Sequence, residues 1–117
     1  NKKITIEEFQ KLPLLVLAKG LKSRIRLDDY CIKNNININP EMEFSSNSII
    51  KEFTKAGFGI GMFTRENIKE ELDKKELFEL NIKLDIEKKY LGLIYSKDNT
   101  RLITKKFISF VKEYNDN

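Results

Sequence analysis

The chain has 117 residues, enough for one domain with a single modest core, and no apolar run approaches the roughly 20 residues that a membrane-spanning helix needs. Because it contains no histidine and one cysteine, a Ser-His-Asp triad, a histidine-ligated metal site and an internal disulfide are excluded, and we predict a non-enzymatic protein without cofactor or metal. The net charge of +4 comes mainly from lysines interspersed with acidic residues, which is typical of a solvated surface rather than of a nucleic-acid interface.

The first predicted elements are a short helix and a buried strand. Residues 5–8, TIEE, have the spacing of a capping box, so a helix is predicted up to about Leu12, where Pro13 ends it. The continuous apolar run LLVL, residues 14–17, predicts a strand that is buried on both faces.

A helix with two apolar stripes is predicted over residues 24–34. Leu27 and Cys31 form one stripe, whereas Ile25 and Ile32 lie on a different side of the same helix. One stripe must face the core, and the other is either incidental or contacts a partner. The lone cysteine is interpreted as a small buried side chain, because a disulfide switch requires two thiols.

A second strand and helix follow the asparagine-rich turn NNININP. Residues 41–44, EMEF, predict the strand, and Ser46 is a suitable N-cap for a helix over residues 47–56. The next apolar segment, residues 58–63, predicts a third buried strand. The predicted inner face of the helix consists of Ile49, Ile50, Phe53 and Ala56.

Three glycines occur in the segment AGFGIGMFT, which raises the alternative of a phosphate-binding loop. In a GxGxxG loop the glycines follow a strand and open a helix, but here they close a helix and enter a strand, with the different spacing GxGxG. We therefore predict that Gly57 is a helix C-cap, and that Gly59 and Gly61 allow neighbouring segments to approach the strand closely.

The remaining pattern predicts an α/β domain. Thr64 can cap a helix through Leu72, residues 80–86 alternate as a half-buried strand does, residues 90–95 predict a last strand and residues 102–114 a final helix. Because the first three strands alternate with helices, we expect a largely parallel sheet with those strands in the order 2-1-3.

Ligands of open α/β sheets bind beyond the carboxyl ends of the strands, which here are followed by the loops 19–23, 45–48 and 63–64. The second loop places hydroxyls, an amide and backbone N–H groups at a helix N-terminus, which suits an anion. In the alternative interpretation Ser46 is simply a cap and Lys22 a surface lysine. The predicted ligand-binding residues are Lys22, Ser23, Ser45, Ser46, Asn47, Phe63 and Thr64.

Several segments, in this order, resemble the effector-binding domain of the LysR-type transcriptional regulators. KAGFGIGMFT resembles the point where a helix of that domain ends and a central strand begins, although Thr64 stands where the family usually has proline. TIEEFQKLPLLVL, KGLKSRIRLDDYCIKNNINI and EFSSNSIIKEFTKAG are similar to the preceding elements, and KKYLGLIYSKDNTRLITKKFISFVKEY is similar to the closing strand and helix. The resemblance covers nearly all of the chain.

The resemblance implies that residues 1–117 are a fragment with a periplasmic-binding-protein-like (type II) fold, a mainly parallel sheet flanked by helices. Residues 10–86 would form the second lobe, and residues 87–115 the returning strand and C-terminal helix. It also implies a cytoplasmic, homo-oligomeric regulator with no membrane contact, which binds a small-molecule effector, an anionic metabolite, in the cleft between lobes. DNA would be bound only through a winged helix-turn-helix expected upstream of Asn1.

A partner surface is expected from the sheet order together with the resemblance. In the order 2-1-3 the strand over residues 41–44 is at an edge, where unpaired backbone groups need to be covered. The regulators that the chain resembles form side-by-side dimers through this strand and the adjacent helix. The expected partner interface contains Ile25, Ile32, Glu41 and Glu43.

Other functions stay open at this point. The main alternative is a lobe of an extracellular solute-binding protein, which has the same architecture. A small stand-alone α/β enzyme and a purely structural dimerisation module are the others. A secretion signal upstream would favour the solute-binding protein, whereas a helix-turn-helix upstream would favour the regulator.

Overall fold

The computed structural model describes residues 4–80, 82, 84–86 and 89–96, and the helix predicted over residues 102–114 lies outside them. The described elements alternate between helix and strand as far as residue 79 and continue with strands alone. In chain order they are α1 (Ile6–Phe9), β1 (Leu14–Leu17), α2 (Lys22–Lys33), β2 (Met42–Phe44), α3 (Asn47–Lys55), β3 (Ile60–Phe63), α4 (Arg65–Asp73), β4 (Leu77–Glu79), β5 (Leu84–Ile86) and β6 (Lys89–Ser96).

The sheet has the predicted order at its centre. Strand β1 pairs in parallel with β2 on one side and with β3 on the other, which confirms the order 2-1-3. Strand β6 pairs antiparallel with both β3 and β4, so the described sheet has the order β2-β1-β3-β6-β4, in which β6 opposes the other strands. The α/β class is confirmed, but the sheet is mixed rather than mainly parallel: among the described pairings two are parallel, and the three made by β6 are antiparallel. Within the described sheet, strand β5 pairs with β6. This pairing is antiparallel, as expected for two strands joined by a short connection.

The single strand predicted over residues 80–86 is wrong in its extent. The structure has a strand before it, β4, and a second one at its end, β5. Between them the N–H of Leu80 donates to the carbonyl of Leu93, and the N–H of Ile82 donates back to the carbonyl of Leu80. This tight turn interrupts the alternating pattern, which sequence periodicity alone does not show.

The predicted caps of α1 and α3 are present, whereas the predicted Thr64 cap of α4 is wrong, because the Thr64 side chain makes no capping hydrogen bond. Thr5 and Glu8 form the predicted capping box at the start of α1, although the helix ends at Phe9, before Leu12. The Ser46 hydroxyl accepts from the N–H of Ile49 at 3.4 Å and caps α3 as predicted. Residue Gly57, after α3, has a φ of 85°, so the predicted left-handed C-cap is confirmed.

The predicted inner face of α3 needs a correction. Ile50 is buried and Phe53 packs against the core, but Ile49 is 41% exposed and Ala56 is also exposed. The fully buried residue one turn after Ile50 is Thr54, whose hydroxyl donates to the carbonyl of Ile50 at 2.8 Å. Because this hydrogen bond satisfies the hydroxyl within the helix, a polar residue occupies the centre of the buried face.

The core lies on both faces of the sheet. In β1, Leu14 and Val16 belong to one buried cluster and Leu15 to the other, so the prediction of a strand buried on both faces is confirmed. The second cluster is extended by the rings of Phe44, Phe53 and Phe58, with neighbouring centroids 4.8 and 5.1 Å apart. Burial on both faces fixes the position of β1 at the centre of the domain.

The glycines in and before β3 allow close packing, as predicted. A Cβ added to Gly59 would lie 2.6 Å from the carbonyl oxygen of Pro13, which accepts from the N–H of Ile60 at 2.9 Å. A Cβ added to Gly61 would lie 2.7 Å from the hydroxyl oxygen of Thr54. The first contact involves backbone that joins the two central strands, so it cannot be relieved by a side-chain rotation.

Replacement of Gly59 by alanine should lower the free energy of unfolding by about 1–3 kcal/mol, because the new Cβ overlaps a backbone oxygen of the sheet. Gly92→Ala is the matched control, since its Cβ would meet only the Glu79 side chain, at 3.0 Å, which can shift. Urea denaturation of both variants measures the difference. Equal losses in the two variants would contradict this explanation of Gly59.

A second prediction concerns pH. Glu71 and Lys51 join α4 to α3 at 2.8 Å, and this hydrogen bond lowers the pKa of Glu71. Because the pKa in the folded state is below the unfolded value of about 4.3, the contribution of the pair is complete above about pH 5 and is lost as the pH falls through the folded pKa. Glu71→Gln should therefore lower stability by roughly 1 kcal/mol at pH 7 and have little effect in acid.

Denaturation of wild type and Glu71→Gln between pH 3 and 7 measures whether the difference in their free energies of unfolding disappears in acid. Glu70→Gln removes the same charge from an adjacent exposed position that bonds within α4. This control should show a smaller effect at every pH. A Glu71→Gln deficit that does not change with pH would contradict the assignment.

Candidate functional site

A cavity of about 230 Å³ opens at the carboxyl ends of β1 and β3, where the sequence predicts a ligand. Its polar lining comes from the N-terminal parts of three helices, and its apolar lining comes from strands together with Leu27 of α2 and Ile50 of α3. The lining residues are Leu15, Val16, Leu17, Ser23, Arg24, Arg26, Leu27, Asn47, Ile50, Met62, Phe63, Thr64, Asn67 and Leu91. The cavity therefore combines an apolar floor with convergent polar groups, as small-molecule sites do.

The structure brings together some of the predicted ligand-binding residues. Ser23, Asn47, Phe63 and Thr64 line the cavity, each from a different element or loop. The other three, Lys22, Ser45 and Ser46, lie next to lining residues in the sequence but are not part of the lining.

Three helices begin at the cavity. Leu21 before α2 and Thr64 before α4 make no side-chain capping bond, whereas Ser46 caps α3. No capping side chain therefore satisfies the first N–H groups of α2 and α4. Since a helix N-terminus carries a partial positive charge, these termini contribute positive potential to this edge of the sheet.

Arg24 is the buried charge at this edge, with a side chain that is 5% exposed. Its Nη1 donates to the carbonyl of Leu17 at 2.8 Å and to Glu43 Oε2 at 2.6 Å, and its Nε donates to Asp28 Oδ1 at 2.9 Å. One guanidinium thus connects the end of β1, the edge strand β2 and the second turn of α2. Burial alone would lower the pKa of Arg24, but the two carboxylates outweigh it and raise the pKa, so the group stays charged.

Sequence reasoning missed Arg24, Arg26 and Asn67 as cavity residues. A signal for Arg24 was present, because it lies three and seven residues before Leu27 and Cys31 and therefore on the same helix face. However, an arginine followed four residues later by aspartate is usually an ion pair on the surface of a helix, so the sequence does not reveal that Arg24 is buried. Burial of the pair depends on β1 and β2, which the local sequence does not describe.

The other predicted positions also have clear environments. Ile25 and Ile32 are 47% and 75% exposed, so the second apolar stripe of α2 faces away from the core. Glu41 and Glu43 lie at the exposed edge strand, and Glu43 is bonded to Arg24. Cys31 is buried, and burial raises the pKa of its thiol, as expected for a structural cysteine.

The described residues contain no cluster of three or more side chains suited to hold a metal ion. In the same part of the chain, every helix is too short or too polar to cross a membrane.

A cavity across the carboxyl ends of the parallel strands of an α/β sheet is typical of small-molecule-binding domains. Sequence comparison assigns the family: residues 1–116 match the LysR substrate binding domain, and the chain belongs to this family. The fold is therefore of the periplasmic-binding-protein-like type, as expected from the sequence resemblance.

Two curated relatives are transcriptional regulators. The HTH-type transcriptional activator CmpR of Synechocystis sp. is 26% identical over 112 residues, which cover 95% of this chain and 37% of that relative. The HTH-type transcriptional regulator Cbl of Escherichia coli is 26% identical over 85 residues, which cover 67% of this chain and 27% of that relative. The chain thus spans about a third of the length of these relatives, and neither favours the solute-binding alternative.

Replacement of Arg24 by methionine should lower the free energy of unfolding by about 1–3 kcal/mol, because three charge-assisted hydrogen bonds are lost at a buried position. Arg24→Lys keeps the charge but not the planar fork, and should give an intermediate loss. Urea denaturation measures both. Arg65→Met is the control, since the Arg65 side chain is 68% exposed and its pair with Glu79 should contribute less than about 1 kcal/mol. If Arg24→Met had the same free energy of unfolding as the wild type, the hydrogen bonds of Arg24 would not stabilise the domain.

Proposed function

We propose that this chain is the effector-sensing domain of a LysR-type DNA-binding transcriptional regulator, and that the effector binds in the cavity at the strand ends. The observation that carries the proposal is the convergence of three helix N-termini and two arginines on this cavity. Family membership supports it, because the relatives are regulators of transcription. In this function the domain binds its ligand and does not transform it.

The effector that fits this cavity best is a small anionic molecule with an apolar portion. Arg24 and Arg26 contribute positive charge, the uncapped helix termini contribute N–H donors, and Met62 and Phe63 contribute apolar surface. Lys22 is adjacent in sequence to Ser23, and Ser45 and Ser46 precede Asn47. A ligand larger than the cavity would reach these three residues as well.

The whole regulator is proposed to have the organisation expected from the family. Residues 10–86 form the second lobe and residues 87–115 return toward the first lobe, which would complete the cleft. DNA is contacted through a winged helix-turn-helix outside this segment, and the regulator acts in the cytoplasm. The classification of both relatives as HTH-type transcriptional regulators supports this arrangement.

The regulator is further proposed to form a homo-oligomer through α2 and the edge strand β2. Leu21, Ile25 and Ile32 are 39%, 47% and 75% exposed and lie on one side of α2 at four- and seven-residue spacings. Strand β2 leaves backbone groups unpaired on its outer side within the described sheet. Glu43 on this strand and Glu41, which precedes it, would lie at the partner subunit.

Small anions should bind this chain weakly, with a dissociation constant of about 1–10 mM, because a cleft ligand gains affinity from both lobes. Backbone amide NMR titrations with sulfate, phosphate and succinate measure this binding. The Ser23→Ala, Asn47→Ala double variant should weaken it at least about threefold, since both residues line the cavity. The Lys22→Ala, Ser46→Ala double variant is the control and should weaken it less. A larger loss of affinity in the Lys22→Ala, Ser46→Ala variant than in the Ser23→Ala, Asn47→Ala variant would contradict the proposed site, as would the absence of binding by any of the three anions.

Weak self-association should depend on the exposed isoleucines of α2. Burial of each contributes at most about 1–3 kcal/mol, so a dimer of the isolated chain should form only at high concentration. Sedimentation equilibrium should show less association for the Ile25→Glu, Ile32→Glu double variant. The variant Ile6→Glu, Ile49→Glu replaces two other isoleucines that are 42% and 41% exposed and is the matched control. Equal association of wild type and the α2 variant would remove this surface from the interface.

A further inference from the structure

The three acceptors around the Arg24 guanidinium differ in how easily they can leave. The carbonyl of Leu17 is fixed by the backbone at the end of β1, and Asp28 is attached one turn along the same helix, 36% exposed. Glu43 comes from the edge strand and is 46% exposed, the most solvated of the two carboxylates. Its carboxylate can therefore leave Arg24 and be hydrated at once, whereas the guanidinium keeps its other two acceptors.

We propose that Glu43 is an internal counter-ion of the cavity, which an incoming anion displaces from Arg24, and that this displacement loosens the edge strand β2. The proposal rests on the proposed function, namely that the cavity binds an anion. In this proposal Glu43, which lies outside the cavity lining, opposes anion binding. The loosening of β2 would then transmit the binding of an anion from the cavity to the partner surface.

Charge balance supports the exchange. Arg24 lines the cavity while two carboxylates already bond its guanidinium from within the chain. An anion that bonds the same group adds a third negative charge around one buried cation, and like charges at this distance repel. The carboxylate with the best access to water is the one that leaves, which is Glu43.

This contact bonds the edge strand to α2, in addition to the pairing of β2 with β1 and the packing of Phe44 on Phe53. Strand β2 has three residues and pairs with β1 on one side only in the described sheet. Two backbone hydrogen bonds flank the pairing, from Glu41 N–H to the Leu14 carbonyl and from Ala18 N–H to the Phe44 carbonyl, each at 2.8 Å. The Arg24–Glu43 bond is the side-chain tie between β2 and α2. Its loss should increase local opening of β2.

The first test measures binding of succinate to wild type, Glu43→Gln and Glu41→Gln by saturation-transfer NMR. Removal of the competing carboxylate should tighten binding of Glu43→Gln by about three- to tenfold. Glu41→Gln removes the same charge from the adjacent exposed position of the chain, so it controls for net charge and should bind like wild type. Equal affinities of the two variants would overturn the counter-ion role.

The second test measures amide hydrogen exchange of Glu41 and Ala18 by NMR. Without ligand, both amides should exchange about three- to tenfold faster in Glu43→Gln than in wild type or Glu41→Gln. Addition of succinate to wild type should accelerate the same two amides, although a ligand that binds a folded protein ordinarily slows exchange. In Glu43→Gln, succinate should cause no further acceleration.

The outcomes separate the two proposals. If succinate binds but does not accelerate exchange in β2, the displacement is overturned and the proposed function stands. If succinate binds to none of the three proteins, the anionic effector is contradicted. In that case ligand-free exchange still decides whether the Glu43 bond holds β2, and unchanged exchange in Glu43→Gln overturns the inference.

Discussion

A buried guanidinium that remains charged needs fixed acceptors on several sides, and the domain supplies them to Arg24 from three different elements. The carbonyl at the end of β1, the carboxylate of Asp28 and the carboxylate of Glu43 can meet this group only if the start of α2 lies beside both β1 and β2. The resulting geometry brings the start of α2 to the carboxyl edge of the sheet. The same edge receives the starts of α3 and α4, because each follows a strand parallel to β1.

The cavity is a consequence of this arrangement. Parallel strands that alternate with helices leave a crevice where successive helices depart to opposite faces of the sheet. The two clusters of buried side chains occupy these faces, and β1 contributes to both. The crevice therefore has an apolar floor and a rim of helix N-termini, so that its position and the proposed preference for anions have the same structural cause.

Much of this architecture could be predicted from the sequence because local signals were strong. The capping residues Thr5 and Ser46, the C-cap Gly57 and the apolar run of β1 each have one preferred interpretation. The order 2-1-3 of the first three strands followed from the alternation of these strands with helices. The four cavity residues that were predicted lie next to strand ends, which chain order alone identifies.

The features that sequence reasoning missed depend on contacts between distant segments. Arg24 resembles a surface arginine until β2 is placed beside α2, since Glu43 lies 19 residues later in the chain. Thr54 resembles a surface residue in the sequence because its side chain is polar. It can be buried because its hydroxyl donates a hydrogen bond within the helix. The division between β4 and β5 depends on a hydrogen bond from Leu80 to Leu93, which no periodicity predicts.

The central claim is that the carboxyl edge of the sheet binds a small anion, and the most direct measurement is a backbone ¹H–¹⁵N correlation spectrum of the chain titrated with succinate. The account predicts that the largest chemical-shift changes occur at the N–H groups that begin α2, α3 and α4, around Ser23, Asn47 and Arg65. Smaller changes should follow in β2. Changes that are largest at the opposite end of the sheet, or that are no greater at these positions than elsewhere, would contradict it.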